Sequence, residues 1–571
     1  MMASLLRVVA ARASFPSQFH STRLLSLVKR AERGFSSGRA NHNVVTSDFP
    51  DIELTATNLT SHVLKDAAEW PDHVATECAV TGRRYTYSQL VDRVARWAGM
   101  LTQLGISKGD VVAIIMLNCP EYPIAMLGGV SIGATVTVVN TAYTPEETLR
   151  QLQDSRAKLV IGDITLEKKI ETSLVLYKMP TILVMNGPSS ISGALNLREI
   201  LEDTSLPFKD CAEVTGEEVA LMPYSSGTTG NPKGVSLSHR ALAANVNMIV
   251  HPSVFVPRET TESYQESFLC YLPFFHIYGI LVKILVGLRR GIKLVCVPKF
   301  NPDIFVKDVK QHKVRLLHTV PSVLNFLNHS PWSTPEALAS VDAVLCGAAP
   351  VLATSATVFR EKIKKHIFFQ EGYGLTEVLI TNLTPLEREK IGWCGLVLPG
   401  VSAKIIDTLT GQILSHNQSG EICIKSPTMM SGYFHNKEAT AATIDSEGWL
   451  HTGDIGCYDE QGYFTILDRT KEMIKVKALQ VVPSELENVI LKHPNVVEVG
   501  VVGVPDDRLG EAPRAYVVVS APTSEAEIKE FVERKVAPYK KLVGGVVFVK
   551  EIPKNATGKL LRRELKKIAL K

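Results

Sequence analysis

The sequence predicts an α/β protein: a large N-terminal body of several subdomains with helix-covered sheets, followed by a small α+β C-terminal domain. Three observations point there. At 571 residues the chain exceeds what one core ordinarily organises. From Gly109 onward, short apolar runs alternate with helical segments, the grain of parallel sheets covered by helices. After about Arg469 that alternation gives way to strands set between two capped helices.

Taken in order, Val111–Leu117 reads as a buried strand, Glu121–Val130 as a helix and Ala134–Val139 as a second strand. Thr144-Pro145-Glu146-Glu147 opens a helix, with a threonine cap, proline at the first helical position and glutamate three residues on. Lys158–Ile161 is strand-like again, and Arg315–Val320, Pro321–Leu327 and Val341–Leu345 repeat the order strand, helix, strand. Further on, Ser484-Glu485-Leu486-Glu487 reads as a capping box opening a helix that turns Leu486, Val489 and Ile490 inward. Val496–Val502 and Ala515–Val519 read as strands, and Ser524 caps a second helix with Glu527 at its third position. Ligands in such folds sit in loops at the carboxyl ends of strands.

Composition narrows the function classes. With 45% apolar and 21% charged residues, the chain is globular. The longest apolar stretch, Tyr122–Val139, is interrupted by Pro123, Gly128, Gly129 and Gly133, so a helix running into a strand explains it better than a membrane span. Nine cysteines stand singly, with no CxxC pair and no zinc-spaced Cys/His cluster. Neither a disulfide framework nor a structural metal is expected, and a reducing compartment fits. Residues 1–42 are rich in Ser, Ala and Arg, with seven basic residues against Glu32 alone, the composition of an organellar transit peptide. Arg33-Gly34-Phe35-Ser36 is similar to a mitochondrial processing site, and Ala569-Leu570-Lys571 is not of the peroxisomal Ser-Lys-Leu type. A mitochondrial matrix address is expected. The leader holds more than the whole net charge of +4, so the body is near neutral and nucleic acid is not an expected partner.

The segment carrying the clearest chemistry is Tyr224-Ser225-Ser226-Gly227-Thr228-Thr229-Gly230-Asn231-Pro232-Lys233-Gly234. Glycines let backbone approach a polyphosphate, hydroxyls donate to its oxygens, and Lys233 offsets its charge. It is not a Walker A loop, because Lys233 stands between Pro and Gly. This segment closely resembles the phosphate loop of the adenylate-forming superfamily, which includes acyl-CoA synthetases, 4-coumarate–CoA ligases and beetle luciferases. The resemblance repeats in family order along most of the chain. Phe275-His276-Ile277-Tyr278-Gly279 is similar to the acid-pocket wall, and Gly347-Ala348-Ala349-Pro350 to the loop against adenine and the acid. Glu371-Gly372-Tyr373-Gly374-Leu375-Thr376-Glu377 resembles the segment that stacks on adenine and reaches phosphate and Mg²⁺. Trp449–Asp454 resembles the ribose-binding segment, Asp468-Arg469-Thr470-Lys471-Glu472 the hinge, and Pro553–Lys559 the segment with the catalytic lysine.

The resemblance implies domains at 43–467 and 468–571, the second a mobile lid pivoting at Asp468. It implies ATP and CoA as co-substrates, Mg²⁺ bound at Glu377, and a fatty or aromatic carboxylic acid. The reacting centre is expected from Lys559, Thr376, Glu377 and His276, the last read as pocket wall beside Tyr278 and not as a general base. Lys559 suits the first step because carboxylate attack on phosphorus builds negative charge with no proton to move. Its plain alternative is one more charge in a tail with Arg562, Arg563, Lys566 and Lys567. Asp454 can accept from both ribose hydroxyls. Lys471, Lys475 and Gln480 match adenylate contacts; Lys299, Lys477 and Ala478 match positions along CoA. The chain departs from the family at Ala478, where glycine is usual, and at Glu371, where coumarate ligases tend to have glutamine. A methyl at 478 would narrow the channel for the pantetheine arm. Other acceptors remain open at this point, either oxygen as in luciferases or a carrier protein, as does a non-catalytic acyl or nucleotide binder.

Overall fold

The computed structural model describes residues 43–569 except 55–56, 226–231, 348–350, 352, 387, 470–471, 477–478, 507 and 555–559. An eight-stranded sheet forms the first half of the body. Its centre is Val111–Ile115, buried at every position, flanked in parallel by Thr135–Val138 and Leu159–Asp163. A run buried on both faces needs no polar alternation, which is why it reads as continuous Val and Ile. Val219–Ser225 extends the sheet in parallel, and Lys233–Ser238 folds back antiparallel to it. The expected helices appear at Glu121–Ser131 and Pro145–Ser155, the second with Thr144 and Glu147 in a complete capping box.

A five-stranded sheet orders Leu316–Thr319, Ala343–Cys346, Phe368–Leu375, Leu379–Leu383 and Leu396–Val397. A four-stranded sheet, with Ser267–Cys270 and Lys293–Cys296, packs beside it. A six-stranded antiparallel sheet carries Gly420–Lys425, Leu450–Tyr458 and Phe464–Arg469.

The C-terminal module has its own sheet, dominated by a long antiparallel pair, Val496–Asp506 with Gly510–Val519. Helices Pro483–Ile490 and Glu525–Glu533 cover it through Leu486, Ile490, Ile528 and Val532. Ser524 caps the second helix as expected. The first helix corrects the sequence reading. It starts at Pro483 with Val482 at the cap, so Ser484 lies inside the first turn. The capping acceptor comes instead from Asp468, whose carboxylate takes the Ser484 N–H at 3.0 Å. Glu487, free of the capping role, accepts both bonds of the Arg562 guanidinium at 2.8 Å and the Val501 N–H at 2.8 Å. Arg562 is therefore an anchor of the C-terminal helix, not one charge among several in a basic tail. Among the described residues no helix is long and apolar enough to cross a membrane.

Candidate active site

The two ends of the phosphate-loop segment lie on adjacent antiparallel strands, Val219–Ser225 and Lys233–Ser238. Ser225 and Lys233 are directly paired, and residues 226–231 between them are outside the described set. Lys233 lies over the Tyr433 ring at 5.0 Å, and the Tyr433 hydroxyl donates to Glu377 at 3.0 Å. Ser225 donates to the same Glu377 oxygen at 2.6 Å. Tyr433 sits in the short strand Gly432–Tyr433 that pairs with Val235–Ser236. Sequence reasoning missed it, because nothing local to Ser431-Gly432-Tyr433 signals a partner so distant along the chain. The Glu377–Tyr433 contact also pushes the phenol upward, after the larger effect of its burial.

Glu377 and Thr376 occupy the turn of a tight hairpin between Phe368–Leu375 and Leu379–Leu383. The turn requires glycine at 374, since a Cβ there would lie 2.1 Å from the Leu379 carbonyl oxygen. Leu379 adopts φ +61°, an uncommon conformation for a branched side chain. On the upstream strand, the Tyr373 hydroxyl donates to Asp454 at 2.7 Å, and Arg469 pairs with the other Asp454 oxygen at 2.8 Å. Each oxygen of an ionised carboxylate has two lone pairs, so one aspartate can hold side-chain donors and still meet a ribose diol. Gly372 lies in register with Leu383, where a Cβ would meet the Leu383 side chain at 2.7 Å.

Glu371 behaves differently from its neighbours. It is 3% exposed and accepts from the backbone N–H groups of Val351 at 2.9 Å and Gly392 at 2.6 Å. Burial raises its carboxyl to about 7, although those two N–H groups favour the charged form. Through these two bonds it ties Val351 to Gly392 beneath the segment expected to meet adenine.

The acid-wall segment continues into the π-helical stretch Gly279–Leu285. His276 accepts the Tyr278 N–H through Nδ1 at 3.2 Å, which leaves that nitrogen unsuited to take a proton from a reactant. A Cβ on Gly347 would lie 3.8 Å from Tyr278, so the strand-end loop and the wall meet there. Lys299 is exposed at a bend after the strand Lys293–Cys296. Lys475 and Gln480 are cross-strand partners in backbone register, and the Lys475 N–H donates to Glu511 at 2.8 Å. Asp468 accepts the Arg469 and Ser484 N–H groups and lies 3.7 Å from Arg562. Ser226, Gly227, Thr228, Thr229, Gly230, Ala348, Pro350, Lys471, Lys477, Ala478 and Lys559 all lie outside the described residues.

Tertiary pairing also assembles what linear spacing hid. Glu421, Cys423 and His451 bring donor atoms within 4.8 Å of one another. His451 faces Glu421 at 3.1 Å and Asp445 at 3.4 Å, so both ring nitrogens meet carboxylates. The Glu421 carboxylate also takes the Gly453 N–H at 3.0 Å, bracing the bulge that projects Asp454.

The comparisons with known proteins agree with this geometry. The family model described as AMP-binding enzyme matches residues 63–434, and that of the AMP-binding enzyme C-terminal domain matches 485–559. The chain is 37% identical over 535 residues to 4-coumarate–CoA ligase 3 of Oryza sativa subsp. japonica, covering 92% of this chain and 94% of that one. It is 36% identical to 4-coumarate–CoA ligase of Pinus taeda, covering 91% and 96%. The crystal structure of ATP-bound MatB from Rhodopseudomonas palustris matches with a TM-score of 0.81 at 29% identity, covering 90% of this chain and 99% of that one. The chain belongs to the AMP-binding enzyme family, with both its large domain and its C-terminal domain.

Proposed function

We infer that the chain is an ATP-dependent acid–CoA ligase. It joins a fatty or aromatic carboxylic acid to AMP, then transfers the acyl group to CoA. The observation that carries this is the hairpin 368–383, which ties two distant sequence motifs into one site. Its strand holds Asp454 through Tyr373, and its turn holds Ser225 of the phosphate loop through Glu377. In this reading Asp454 takes the ribose diol, and Lys233 with Ser225 the phosphates. Glu377, with the Ser225 hydroxyl 2.6 Å away, offers hard oxygen donors that would suit Mg²⁺, which when bound neutralises phosphate charge.

In the first step the acid's carboxylate oxygen bonds to the α-phosphorus while the bond to pyrophosphate breaks. Lys559, by family resemblance, steadies the charge that builds there. In the second, the CoA thiolate attacks the acyl carbon and AMP departs with the bonding pair. The C-terminal module, turning about Asp468, presents the strand pair that carries Lys475 for this second step. The Arg-rich leader, residues 1–42, supports import into the mitochondrial matrix; imaging a fusion with and without it tests that address.

The test of the reaction is mass-spectrometric detection of acyl-CoA from a panel of acids with Mg-ATP and CoA. Thioester is expected with one acid class and is expected to vanish in Lys559→Ala. Pyrophosphate release with no thioester from any acid would overturn CoA as the acceptor.

A further inference from the structure

Glu421, Cys423 and His451 converge on one point of the sheet that carries Asp454. Glu421 and Cys423 are two residues apart on one strand, and His451 is directly opposite Cys423 on the next. Nδ1 of His451 lies 3.1 Å from a Glu421 oxygen and 3.7 Å from Cys423 Sγ. A single ring nitrogen offers one proton or one lone pair, so it cannot satisfy both neighbours. A cation among the three would meet all of them. Tetrahedral bonds of zinc length would hold the N···S edge at about 3.6 Å and the N···O edge at about 3.3 Å, close to the spacing observed.

The surroundings of the histidine fit a metal ligand. Asp445 faces its other nitrogen, Nε2, at 3.4 Å. That carboxylate is itself fixed, because one of its oxygens accepts the Glu447 and Trp449 N–H groups at 2.9 Å each. A carboxylate on the far nitrogen sets the tautomer that leaves the Nδ1 lone pair for a ligand. Cys423 is fully buried, whereas Glu421 and His451 are half-buried, so one side stays open for a water ligand. Lys404, opposite Cys423 on the other neighbouring strand, sets its ammonium over the Trp449 ring at 4.4 Å and 3.8 Å from Glu447. Its charge is therefore engaged outside the trio. The second Glu421 oxygen accepts the Gly453 N–H at 3.0 Å, one residue before Asp454.

We propose that Glu421, Cys423 and His451 bind a thiophilic divalent cation of the Zn²⁺ class, and that the bound ion braces the bulge that projects Asp454. Thiolate, imidazole and carboxylate together select such an ion over Mg²⁺ or Ca²⁺, which prefer oxygen alone. On binding, the Cys423 sulfur–hydrogen bond is replaced by a sulfur–metal bond and the proton leaves to solvent. Burial pushes the free thiol up to about 12, a cost that the charge of the ion offsets. This ion is separate from the Mg²⁺ at Glu377, and its binding is independent of which acid or acceptor the chain uses. Its link to the nucleotide is the Glu421 carboxylate, one oxygen on the metal and the other on the Gly453 N–H.

The experiment titrates Co²⁺, a spectroscopic stand-in for Zn²⁺, into the full chain after dialysis against a chelator. A thiolate-to-cobalt charge-transfer band is expected in the wild type, displaced by Zn²⁺ and absent in Cys423→Ser. Asp445→Asn keeps every ligand and should weaken Zn²⁺ binding by about tenfold or more, because it unseats the histidine. Calorimetry then compares Mg-ATP binding with and without stoichiometric Zn²⁺. Zinc should tighten it by about fivefold or more in the wild type and leave Cys423→Ser unchanged. Mg-ATP binding by metal-free Cys423→Ser shows that this variant is folded. No cobalt band, or a band that survives Cys423→Ser, would overturn the site and leave His451 as an imidazolium held between Glu421 and Asp445. A band with unchanged Mg-ATP affinity would overturn the brace.

Discussion

Asp454 and Asp468 lie on neighbouring strands of one sheet, yet they are held in opposite ways. Asp454 is opposite Arg469 in the ladder, and Asp468 is opposite Ile455. Both are buried. Asp454 is held by two side chains, the Tyr373 phenol and the Arg469 guanidinium, which can shift to admit a ribose hydroxyl. The donors on Asp468 are chiefly backbone N–H groups, its neighbour's and that of Ser484 in the first turn of a helix. Those cannot be re-aimed without moving the helix. A strand alternates its side chains between faces, so adjacent residues 468 and 469 serve the C-terminal module and the nucleotide site respectively. The comparison teaches that one short strand, Phe464–Arg469, couples the two regions. An adjustable carboxylate marks the binding side, and a fixed one marks the joint.

The largest effect is expected on the fixed side. Arg562→Ala leaves the largely enclosed Glu487 carboxylate without the guanidinium that holds both its oxygens, and chemical denaturation should show a loss of about 3 kcal/mol. A loss below about 1 kcal/mol would mean that Arg562 is the tail charge the sequence suggested. On the adjustable side, Asp454→Ala should cut ATP-dependent turnover by about 100-fold, the worth of charged hydrogen bonds to a diol. Asp454→Asn keeps the Tyr373 bond but loses the ion pair, so it should fall between; equal activity of all three proteins would remove Asp454 from the site.

Glu371 offers a comparison within the same hairpin as Glu377. Its carboxyl stands near 7 when folded, against an ordinary value of 4.5. The stability it contributes is fully present below about 4.5 and lost as pH rises through 7, by at most about 3 kcal/mol. Unfolding measured from pH 5 to pH 8 should therefore show a steeper decline in the wild type than in Glu371→Gln, and parallel curves would contradict the buried carboxyl. The smallest effect is expected from Tyr433→Phe, which removes one of two hydroxyl donors on Glu377. A rate loss of several-fold, about 1 kcal/mol, should appear in initial-rate assays.

Much of this architecture is legible in the amino-acid sequence. Val111–Ile115 and its neighbours declare a parallel sheet because full burial forces unbroken Val and Ile. The Thr144 and Ser524 caps are local chemistry, readable in four residues. The Asp454 and Glu377 motifs stand out in the sequence, since each sits in a turn or bulge with a distinctive local pattern. What escapes such a reading depends on contacts between distant segments. Ser484 looks like a cap because Ser-x-x-Glu has that pattern, but Pro483 claims the first helical position and Asp468, sixteen residues back, supplies the acceptor. Tyr433, Arg562 and Cys423 give no local signal; only tertiary placement sets a tyrosine on Glu377, a guanidinium on Glu487 and a thiol beside His451.

The central claim is adenylation at the site spanned by the 368–383 hairpin. Its most direct test is acid-dependent exchange of labelled pyrophosphate into Mg-ATP with CoA omitted, since exchange requires only the first step and its reversal. Exchange is expected with a subset of carboxylic acids and should be lost in Asp454→Ala. ATP binding without exchange for any acid tested would contradict adenylation.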